Sequence, residues 1–444
     1  MMVGAAEDVA KQQDYAFAKT EMDMARLAGL DSIRVTEPWT TGQAALGPSD
    51  EITLDNALDA AQFSGLRVIL SLYPFGSSVT PLTDQDRADF AAFVVDIATR
   101  YPGVHDFIVG NEPNLNRFWL PQFNPDGSDA AAPAYEQLLA TTYDALKAVR
   151  PHSTIYGAAL APRGVDKPGT GRDTHSPTAF ITDLGAAYRA SGRALPIMDA
   201  FAFHPYPESS ATGPLLAHPN STSIGLADYT KLVALLGAAF DGTAQHGSSL
   251  PILYDEFGIE TQIPAAKSPL YVGTEPTTTK PVDEATQAQM YAQAMQLTFC
   301  QPTVLGLLLF HVQDEPVLSA WQSGEFYVDG TPKASLTAVR TAAGLVHRGV
   351  AAACPGLALT PKVVLRVGKP GKTGIKVTLT CSLDCNYTVT LDTRTLRGTA
   401  TGRVPTTVRF AGRLVPGPHR ASARALTPVN TGPPGSAVRS FHSR

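Results

Sequence analysis

Short apolar runs alternate with longer amphipathic stretches along the first 350 residues of the chain. The apolar runs cover residues 3–5, 32–36, 67–72, 106–109, 154–159, 200–203, 252–254 and 305–310. Apolar residues at helical spacing recur between them, over residues 15–28, 84–99, 133–149, 178–190, 228–240, 284–297 and 333–346. Short buried strands that alternate with helices are typical of a parallel sheet.

The number of these units favours a closed (β/α)8 TIM barrel, an α/β fold, over an open doubly wound sheet. Eight strand-and-helix units fit the usual length of such a barrel, and no glycine-rich phosphate turn follows the first strand. The loops after the strands are long, and they would all lie at the C-terminal face of a barrel, where active sites occur. Thr83 stands in a capping position before the helical stretch over residues 84–99.

The pattern changes near residue 351, where helical spacing gives way to alternating apolar and polar residues. Such runs cover residues 376–381, 387–391, 407–410 and 420–426, and Gly and Pro clusters separate them. This arrangement predicts a small all-β sandwich domain. We therefore expect a barrel over residues 1–352 and a C-terminal β-sandwich over residues 355–444.

The charge distribution supports two domains of different character. The net charge is −5, yet the segment from Pro355 onward holds 14 Lys or Arg and only 2 Asp or Glu. A basic tail domain indicates either a difference in solubility between two independent domains or contact with an acidic cell-wall polysaccharide. No nucleic-acid recognition motif accompanies the charge, and no run of about 18 apolar residues predicts a membrane span.

Four cysteines predict disulfides and an oxidising, extracellular location. Cys381 and Cys385 flank a short loop, whereas Cys300 and Cys354 could link the last helices of the barrel. Four free buried thiols are the alternative, and the absence of CxxC spacing argues against zinc. The N-terminus lacks the basic and long apolar regions of a signal peptide, so either a leader has been removed or the start is internal.

Two glutamates stand at the ends of predicted strands. Glu112 follows the fourth strand and Glu256 follows the seventh, each beside a glycine in a polar turn. Side chains at the C-terminal ends of barrel strands point into the mouth of the barrel. Glycoside hydrolysis uses such a pair of carboxyl groups, one to protonate the departing oxygen and one to attack the sugar or activate water.

These motifs resemble the paired signatures of clan A glycoside hydrolases. Asn111-Glu112-Pro113 after strand four and Glu256-Phe257-Gly258 after strand seven look like the signatures of these retaining (β/α)8 enzymes, which include family 5 cellulases and family 39 xylosidases. The resemblance covers roughly residues 1–350. It implies that Glu112 is the acid/base and Glu256 the nucleophile.

Four further residues match positions that the resemblance assigns to the site. Arg34 at the tip of strand two matches the arginine that hydrogen-bonds the nucleophile, and Asn111 matches the residue that holds the sugar 2-hydroxyl. His204 and Tyr206 after strand six resemble the His-x-Tyr pair, in which the tyrosine touches the nucleophile. The alternatives are an ion pair of Arg34 with Glu7 or Asp8, and a core role for His204.

Other positions depart from the clan pattern. Strand eight ends in Phe310-His311-Val312, where many members carry a tryptophan beneath the sugar. Either His311 hydrogen-bonds a sugar hydroxyl, or Trp321 reaches back from the following loop. Strand three ends at Tyr73, where family 5 cellulases usually carry histidine.

We expect further substrate contacts from Trp39 and Trp119, which follow predicted strands. The predicted activity is hydrolysis of a β-glycosidic bond in an oligosaccharide, polysaccharide or glycoside, with retention and without a metal or other cofactor. Two alternatives stay open. One is a carbohydrate-binding barrel without catalysis, and the other is a metal-dependent hydrolase that uses His204, His311, Asp255 and Glu256.

Overall fold

The computed structural model describes residues 1–350, 354, 360–382, 385–402, 404–426 and 433–443. Eight parallel strands close into a barrel in chain order, because β1 pairs with both β2 and β8. The predicted (β/α)8 barrel is therefore confirmed. Its strands are Met2–Ala6 (β1), Ser32–Trp39 (β2), Arg67–Pro74 (β3), Asp106–Val109 (β4), Thr154–Leu160 (β5), Ala200–Phe203 (β6), Ile252–Phe257 (β7) and Val304–Phe310 (β8).

Eight α-helices accompany these strands in the described residues. Thr83 caps α3 as predicted, since its side chain accepts from the Asp86 amide while the Asp86 carboxylate accepts from the Thr83 amide. The helices are Tyr15–Leu27 (α1), Pro48–Phe63 (α2), Asp84–Arg100 (α3), Ala131–Val149 (α4), Pro177–Ser191 (α5), Tyr229–Phe240 (α6), Glu284–Phe299 (α7) and Leu336–His347 (α8).

The helix α2 was not predicted from the sequence. Its buried face consists of Leu54, Leu58 and three alanines, Ala57, Ala60 and Ala61. Alanine contrasts little with polar neighbours in hydrophobicity, so a face built on it gives a weak amphipathic pattern. Helix propensity, which is highest for alanine, is the signal that would have identified this segment.

The interior of the barrel is a packed core. Residues from six strands form one buried cluster: Ile69, Ile108, Tyr156, Ala159, Ala200, Ala202, Leu253 and Leu308. Alternation along each strand turns these side chains inward and their neighbours toward the helices. The filled interior leaves the C-terminal mouth as the place where polar side chains can converge.

The C-terminal region is a sandwich of two antiparallel sheets, as predicted. The sheets have the strand orders β13-β10-β9 and β12-β11-β14-β15. Their inner faces share one buried cluster, which includes Val377 and Phe410 from the first sheet and Val389 and Ala423 from the second. The strands are Val363–Val367 (β9), Gly374–Cys381 (β10), Cys385–Leu391 (β11), Arg394–Ala400 (β12), Thr406–Ala411 (β13), Gly417–Leu426 (β14) and Gly435–Ser443 (β15).

The sequence predicted four of these seven strands and missed β9, β12 and β15. In β12 and β15 most residues are exposed or partly exposed. Neither strand carries a regular row of large apolar side chains, which is the signal of a half-buried strand. Their polar side chains give a pattern that resembles a loop.

Two compact units emerge from the contacts within the chain. The first comprises Met1–Ala294 and Thr303–Arg340, and the second comprises Met295–Pro302 and Thr341–Arg444. The end of α7 and most of α8 thus belong to the unit that contains the sandwich. The predicted boundary at residues 352–355 lies outside the described residues except for Cys354.

Both expected disulfides are present. Cys300 pairs with Cys354, and Cys381 pairs with Cys385. The alternative of four free thiols is therefore wrong. Among the described residues, none of the helices combines the length and apolar character that crossing a bilayer requires.

Candidate active site

A cavity of about 790 Å³ opens at the C-terminal ends of the barrel strands. Both predicted carboxylates line it, with Glu256 in β7 and Glu112 in the turn after β4. Most of the predicted site residues also line it, namely Arg34, Tyr73, Asn111, Tyr206, His311 and Trp321. His204 is fully buried beside the cavity and contacts Glu112.

Glu256 is held by two side chains that donate hydrogen bonds to it. Arg34 donates from Nη1 to one carboxylate oxygen, and the Tyr206 hydroxyl donates to the other at 2.9 Å. Arg34 also donates from Nη2 to Ser71 Oγ at 3.0 Å and to Asn111 Oδ1 at 3.2 Å. The alternative pairing of Arg34 with Glu7 or Asp8 is therefore wrong.

The surroundings of these two donors keep them protonated. Burial is the largest influence on Arg34 and opposes its charge, but the charges of Glu256 and Asp255 outweigh it and raise its pKa. Burial and the charge of Glu256 together raise the pKa of Tyr206 well above its usual value. Donors that stay protonated stabilise the ionised form of the carboxylate that they contact.

Glu112 is presented by a turn with left-handed backbone conformations. Gly110 has φ 94°, and a Cβ at this position would lie 2.8 Å from the ring of Tyr135, so only glycine fits without a shift. Glu112 itself has φ 41°, and its amide donates to Ala159 O at 2.9 Å. A positive φ is uncommon for a non-glycine residue and is often found at functional sites.

His204 connects the two glutamates. Its Nδ1 lies 3.0 Å from Glu112 Oε1 and 3.4 Å from Glu256 Oε2, while its Nε2 lies 3.2 Å from Asp255 Oδ2. Burial opposes a charge on the ring, but the charges of Glu256 and Asp255 and the hydrogen bonds raise the pKa of His204 to about 10. An imidazolium has two N–H donors, which suits a ring with carboxylates on both sides.

Asp255 lies behind the cavity rather than in it. Strand alternation turns it away from Glu256, as expected, and its side chain is fully buried. It contacts His204 and also lies 3.6 Å from Arg34 Nε. Burial would raise the pKa of Asp255, but His204 and Arg34 hold it below its usual value. Asp255 therefore orients two residues that contact Glu112 or Glu256.

Aromatic side chains form one wall of the cavity. Trp321, from the loop after β8, lies with its ring centroid 4.8 Å from that of Tyr206, at an angle of 33° between the planes. Phe310 meets Trp321 edge-on, with the centroids 5.2 Å apart. His311 also lines the cavity, and its Nδ1 lies 3.0 Å from Ala6 O. His311 and Trp321, the two residues that were expected to contact the sugar near the end of β8, therefore both line the cavity.

Two predicted substrate contacts do not reach the cavity. Trp39 is fully buried, with its ring against Phe90 of α3 and its Nε1 bonded to Gln43 O at 2.6 Å. Trp119 is buried against Tyr135 of α4. The expectation of sugar contacts from Trp39 and Trp119 is therefore wrong. Trp39 stands five positions after Arg34, and an odd offset along a strand points to the opposite face.

Several residues at the cavity were not singled out from the sequence. Ser71 on β3, which accepts from Arg34, carries a weak signal because it interrupts a buried apolar strand. Arg117, Arg163, Arg172 and other charged residues come from loops. Loop side chains have no periodic pattern, so nothing in the sequence marked them as residues of the cavity wall.

Three of the four residues that the metal-dependent alternative would use lie close together. His204 contacts Asp255, and both lie near Glu256. In the part of the chain that the structure describes, no group of three or more His, Cys, Asp or Glu is arranged to hold a metal ion.

Similar folds occur among solved glycoside hydrolase structures. A family 39 glycoside hydrolase from Bacteroides cellulosilyticus WH2 matches with a TM-score of 0.54 and 16% identity, over 93% of this chain and 80% of its own. GH5_18 from Streptomyces cattleya, solved with GlcNAc, matches with a TM-score of 0.54 and 16% identity, over 81% of this chain and 83% of its own. No protein-family model matches the sequence, and no curated protein matches it significantly. At this identity the likeness shows the (β/α)8 barrel fold alone.

Proposed function

We propose that the chain is a retaining glycoside hydrolase that cleaves a β-glycosidic bond, with Glu256 as nucleophile and Glu112 as acid/base. One observation carries this proposal. Two carboxylates face one cavity at the mouth of a (β/α)8 barrel, and they share contact with a single histidine nitrogen, His204 Nδ1.

The spacing of the carboxylates favours retention. His204 Nδ1 lies 3.0 Å from an oxygen of Glu112 and 3.4 Å from an oxygen of Glu256, so these oxygens are no farther apart than the sum of the two distances. Retaining enzymes place their carboxyl groups about 5–5.5 Å apart, whereas inverting enzymes need roughly 6.5–9.5 Å to admit a water molecule. The close approach of these two oxygens supports the shorter spacing of retaining enzymes.

The chemistry follows from these positions in two steps. In the first, an oxygen of Glu256 bonds to the anomeric carbon while the bond to the leaving oxygen breaks, and Glu112 gives that oxygen its proton. In the second, Glu112 takes a proton from water as the water oxygen attacks the anomeric carbon, and Glu256 departs as a carboxylate. Two inversions leave the product with the configuration of the substrate.

Neighbouring residues would bind the sugar. Asn111 Oδ1 accepts from Arg34, which leaves the amide nitrogen of Asn111 to donate to a sugar hydroxyl. The indole of Trp321 offers a flat apolar surface for the face of a sugar ring. His311 and Tyr73 present polar atoms to the same space.

A panel of 4-nitrophenyl β- and α-glycosides tests the proposal. The wild type is expected to release nitrophenol from a β-glycoside, and Glu256→Gln is expected to abolish the release. Glu51→Gln, which changes a surface carboxylate of α2, is the matched control and should behave as the wild type. NMR should show the β-anomer as the first product, and a first-formed α-anomer would contradict double displacement.

The two alternatives are distinct outcomes of these experiments. A barrel that binds carbohydrate without cleaving it would give saturable binding of oligosaccharides and no turnover of any glycoside or polysaccharide. A metal-dependent hydrolase would lose its activity on treatment with a chelator and regain it with added metal. Either result would replace the proposed double displacement.

We also propose an extracellular site of action on an oligosaccharide or polysaccharide. The two disulfides support an oxidising compartment. The excess of Lys and Arg from Pro355 onward would suit weak attachment to an acidic matrix. Deletion of residues 355–444 should then reduce retention on an acidic polysaccharide and leave retention on a neutral one unchanged, and equal retention by both proteins would refute the attachment.

A further inference from the structure

Three arginines line one side of the cavity. Arg117 comes from the loop after β4, and Arg163 and Arg172 come from the loop after β5. The strands β4 and β5 are neighbours in the barrel. The three guanidinium groups therefore share one arc of the cavity wall, next to the turn that carries Glu112.

The arginines are not neutralised by carboxylates of their own. Arg163 donates from Nη1 to Tyr206 O at 3.0 Å and from Nη2 to Pro207 O at 2.6 Å, which fixes the orientation of its guanidinium group. Arg117 and Arg172 are exposed, and their guanidinium groups have no ion pair within the described part of the chain. Glu208, an acid on this side whose charge acts on Arg163, is bonded to His218. The arc is thus rich in donors that a ligand can use.

Acidic residues occupy the opposite arc. Glu7 and Asp8 follow β1, Glu260 follows β7, and Glu315 follows β8, and these three strands are neighbours in the barrel. Burial is the main reason that the pKa of Glu260 rises to about 8, so Glu260 is mostly protonated near pH 7 and adds little charge to this side. An anion on this side would meet like charges, whereas the carboxylates can accept hydrogen bonds from sugar hydroxyls. The two opposite arcs of the cavity wall therefore differ in charge.

Glu112 lies on the side of the cavity that carries the arginines, so the difference in charge between the two sides bears on the reaction. The acid/base must lie beside the oxygen that departs, so the arc next to Glu112 contacts the leaving group. Guanidinium groups bind carboxylate and sulfate oxygens through paired hydrogen bonds. We propose that the natural leaving group carries an anionic oxygen substituent, a carboxylate or a sulfate, which binds to Arg117, Arg163 and Arg172. This inference rests on the proposed glycosidase function.

The test compares substrates that share the glycone cleaved in the panel and differ in the aglycone. One is the neutral 4-nitrophenyl glycoside, and the others carry a carboxylate or a sulfate on the ring, meta to the scissile oxygen. Two arginine contacts should raise kcat/KM for an anionic substrate about tenfold over the neutral one, because ion pairs at such exposed sites are individually weak. Added salt should reduce this preference.

The variants Arg117→Gln and Arg172→Gln, singly and combined, connect the preference to these side chains. The double variant should cleave the anionic and neutral substrates with equal kcat/KM. Arg413→Gln, which removes an exposed arginine of the sandwich unit, should keep the full preference. A larger gain with carboxylate than with sulfate would identify a uronic acid type of leaving group, and the reverse would identify a sulfated one.

Failure of this proposal differs from failure of the proposed function. Equal cleavage of anionic and neutral substrates by the wild type, or a preference that survives in the double variant, would overturn the anion site and leave the glycosidase intact. If no glycoside is cleaved, binding of glucuronate and glucose can be compared by NMR. Glucuronate binding that disappears in the double variant would support the anion site without catalysis, and equal binding of both sugars would refute it.

Discussion

The surroundings of Glu256 and Glu112 differ, although both carboxylates lie within 3.4 Å of the same nitrogen of His204. Glu256 belongs to a regular strand and receives hydrogen bonds from Arg34 and Tyr206. Glu112 belongs to a turn with positive φ. Among the described residues, its carboxylate receives a side-chain hydrogen bond from His204.

The difference indicates a division of labour between the two groups. A nucleophile must be ionised throughout, and fixed donors favour that state. An acid/base must take up and release a proton in each cycle, so many permanent donors would hinder it.

Replacement of Glu256, the proposed nucleophile, should have the largest effect. Glu256→Ala is expected to lower kcat/KM by about 10⁴-fold or more, because no covalent intermediate can form. Azide should restore cleavage by attacking the anomeric carbon directly from the opposite face. The product, identified by NMR, should be the α-glycosyl azide, and a β-azide would assign the nucleophilic role to another residue.

Replacement of Glu112, the proposed acid/base, should lower activity less and should give the opposite anomer of the azide product. Glu112→Ala is expected to lower kcat/KM by about 10²–10⁴-fold, with the smallest loss for aglycones that depart without a proton. Azide would attack the glycosyl enzyme, so two inversions would give the β-glycosyl azide. The assignment of roles fails if both alanine variants yield the same anomer.

Removal of one donor from Glu256 should have a moderate effect. Tyr206→Phe deletes the hydroxyl that lies 2.9 Å from Glu256 Oε2 and keeps the ring that packs against Trp321. A hydrogen bond to a charged group contributes about 1.5–3 kcal/mol, so kcat should fall about 10- to 100-fold. Tyr188→Phe, distant from the cavity and bonded to Leu195 O, is the matched control and should retain wild-type kcat. Equal losses in both variants would mean a general effect on folding.

The smallest effect concerns stability and pH. The pKa of His204 is about 10 in the folded protein and close to 6.5 in the unfolded chain. Its charge therefore stabilises the fold fully below pH 6.5, and this contribution disappears as the pH rises through about 10. Calorimetry should show the barrel transition of the wild type losing more stability between pH 7 and 10 than that of His204→Gln, by at least about 1 kcal/mol.

His152→Gln provides the control for this comparison. His152 is exposed, so its replacement should leave the pH dependence of the wild type unchanged. Parallel stability curves for the wild type and His204→Gln would mean that His204 does not carry its charge in the folded protein.

The sequence allowed the prediction of those site residues that lie at strand ends. Glu112 and Glu256 follow from strand order, since closure of a parallel barrel brings the C-terminal ends of its strands to one mouth. Arg34, His204 and Tyr206 were identified through the resemblance to clan A glycoside hydrolases. Trp39 shows how this reasoning fails. It also ends a strand, but the alternation of side chains turns it outward against α3.

Residues on loops were beyond this kind of prediction. Trp321 reaches Tyr206 from a long loop after β8, and Arg117 and Arg172 reach the cavity from two other loops. The course of such loops depends on contacts distant in sequence, such as the hydrogen bonds of Asn114 to Ala161 and His175. The local sequence pattern does not indicate these contacts. The difference in charge between the two sides of the cavity therefore became visible only in the structure.

Covalent trapping tests whether Glu256 is the residue that attacks the sugar. A 2-deoxy-2-fluoro glycoside of the cleaved sugar, with a good leaving group, should form the glycosyl enzyme faster than water can release it. Mass spectrometry of the intact protein should show the added mass of one fluorosugar, and peptide mapping should place it on Glu256. A sugar attached to Glu112, or a protein that turns over β-glycosides with no trapped sugar and an inverted first product, would contradict the account.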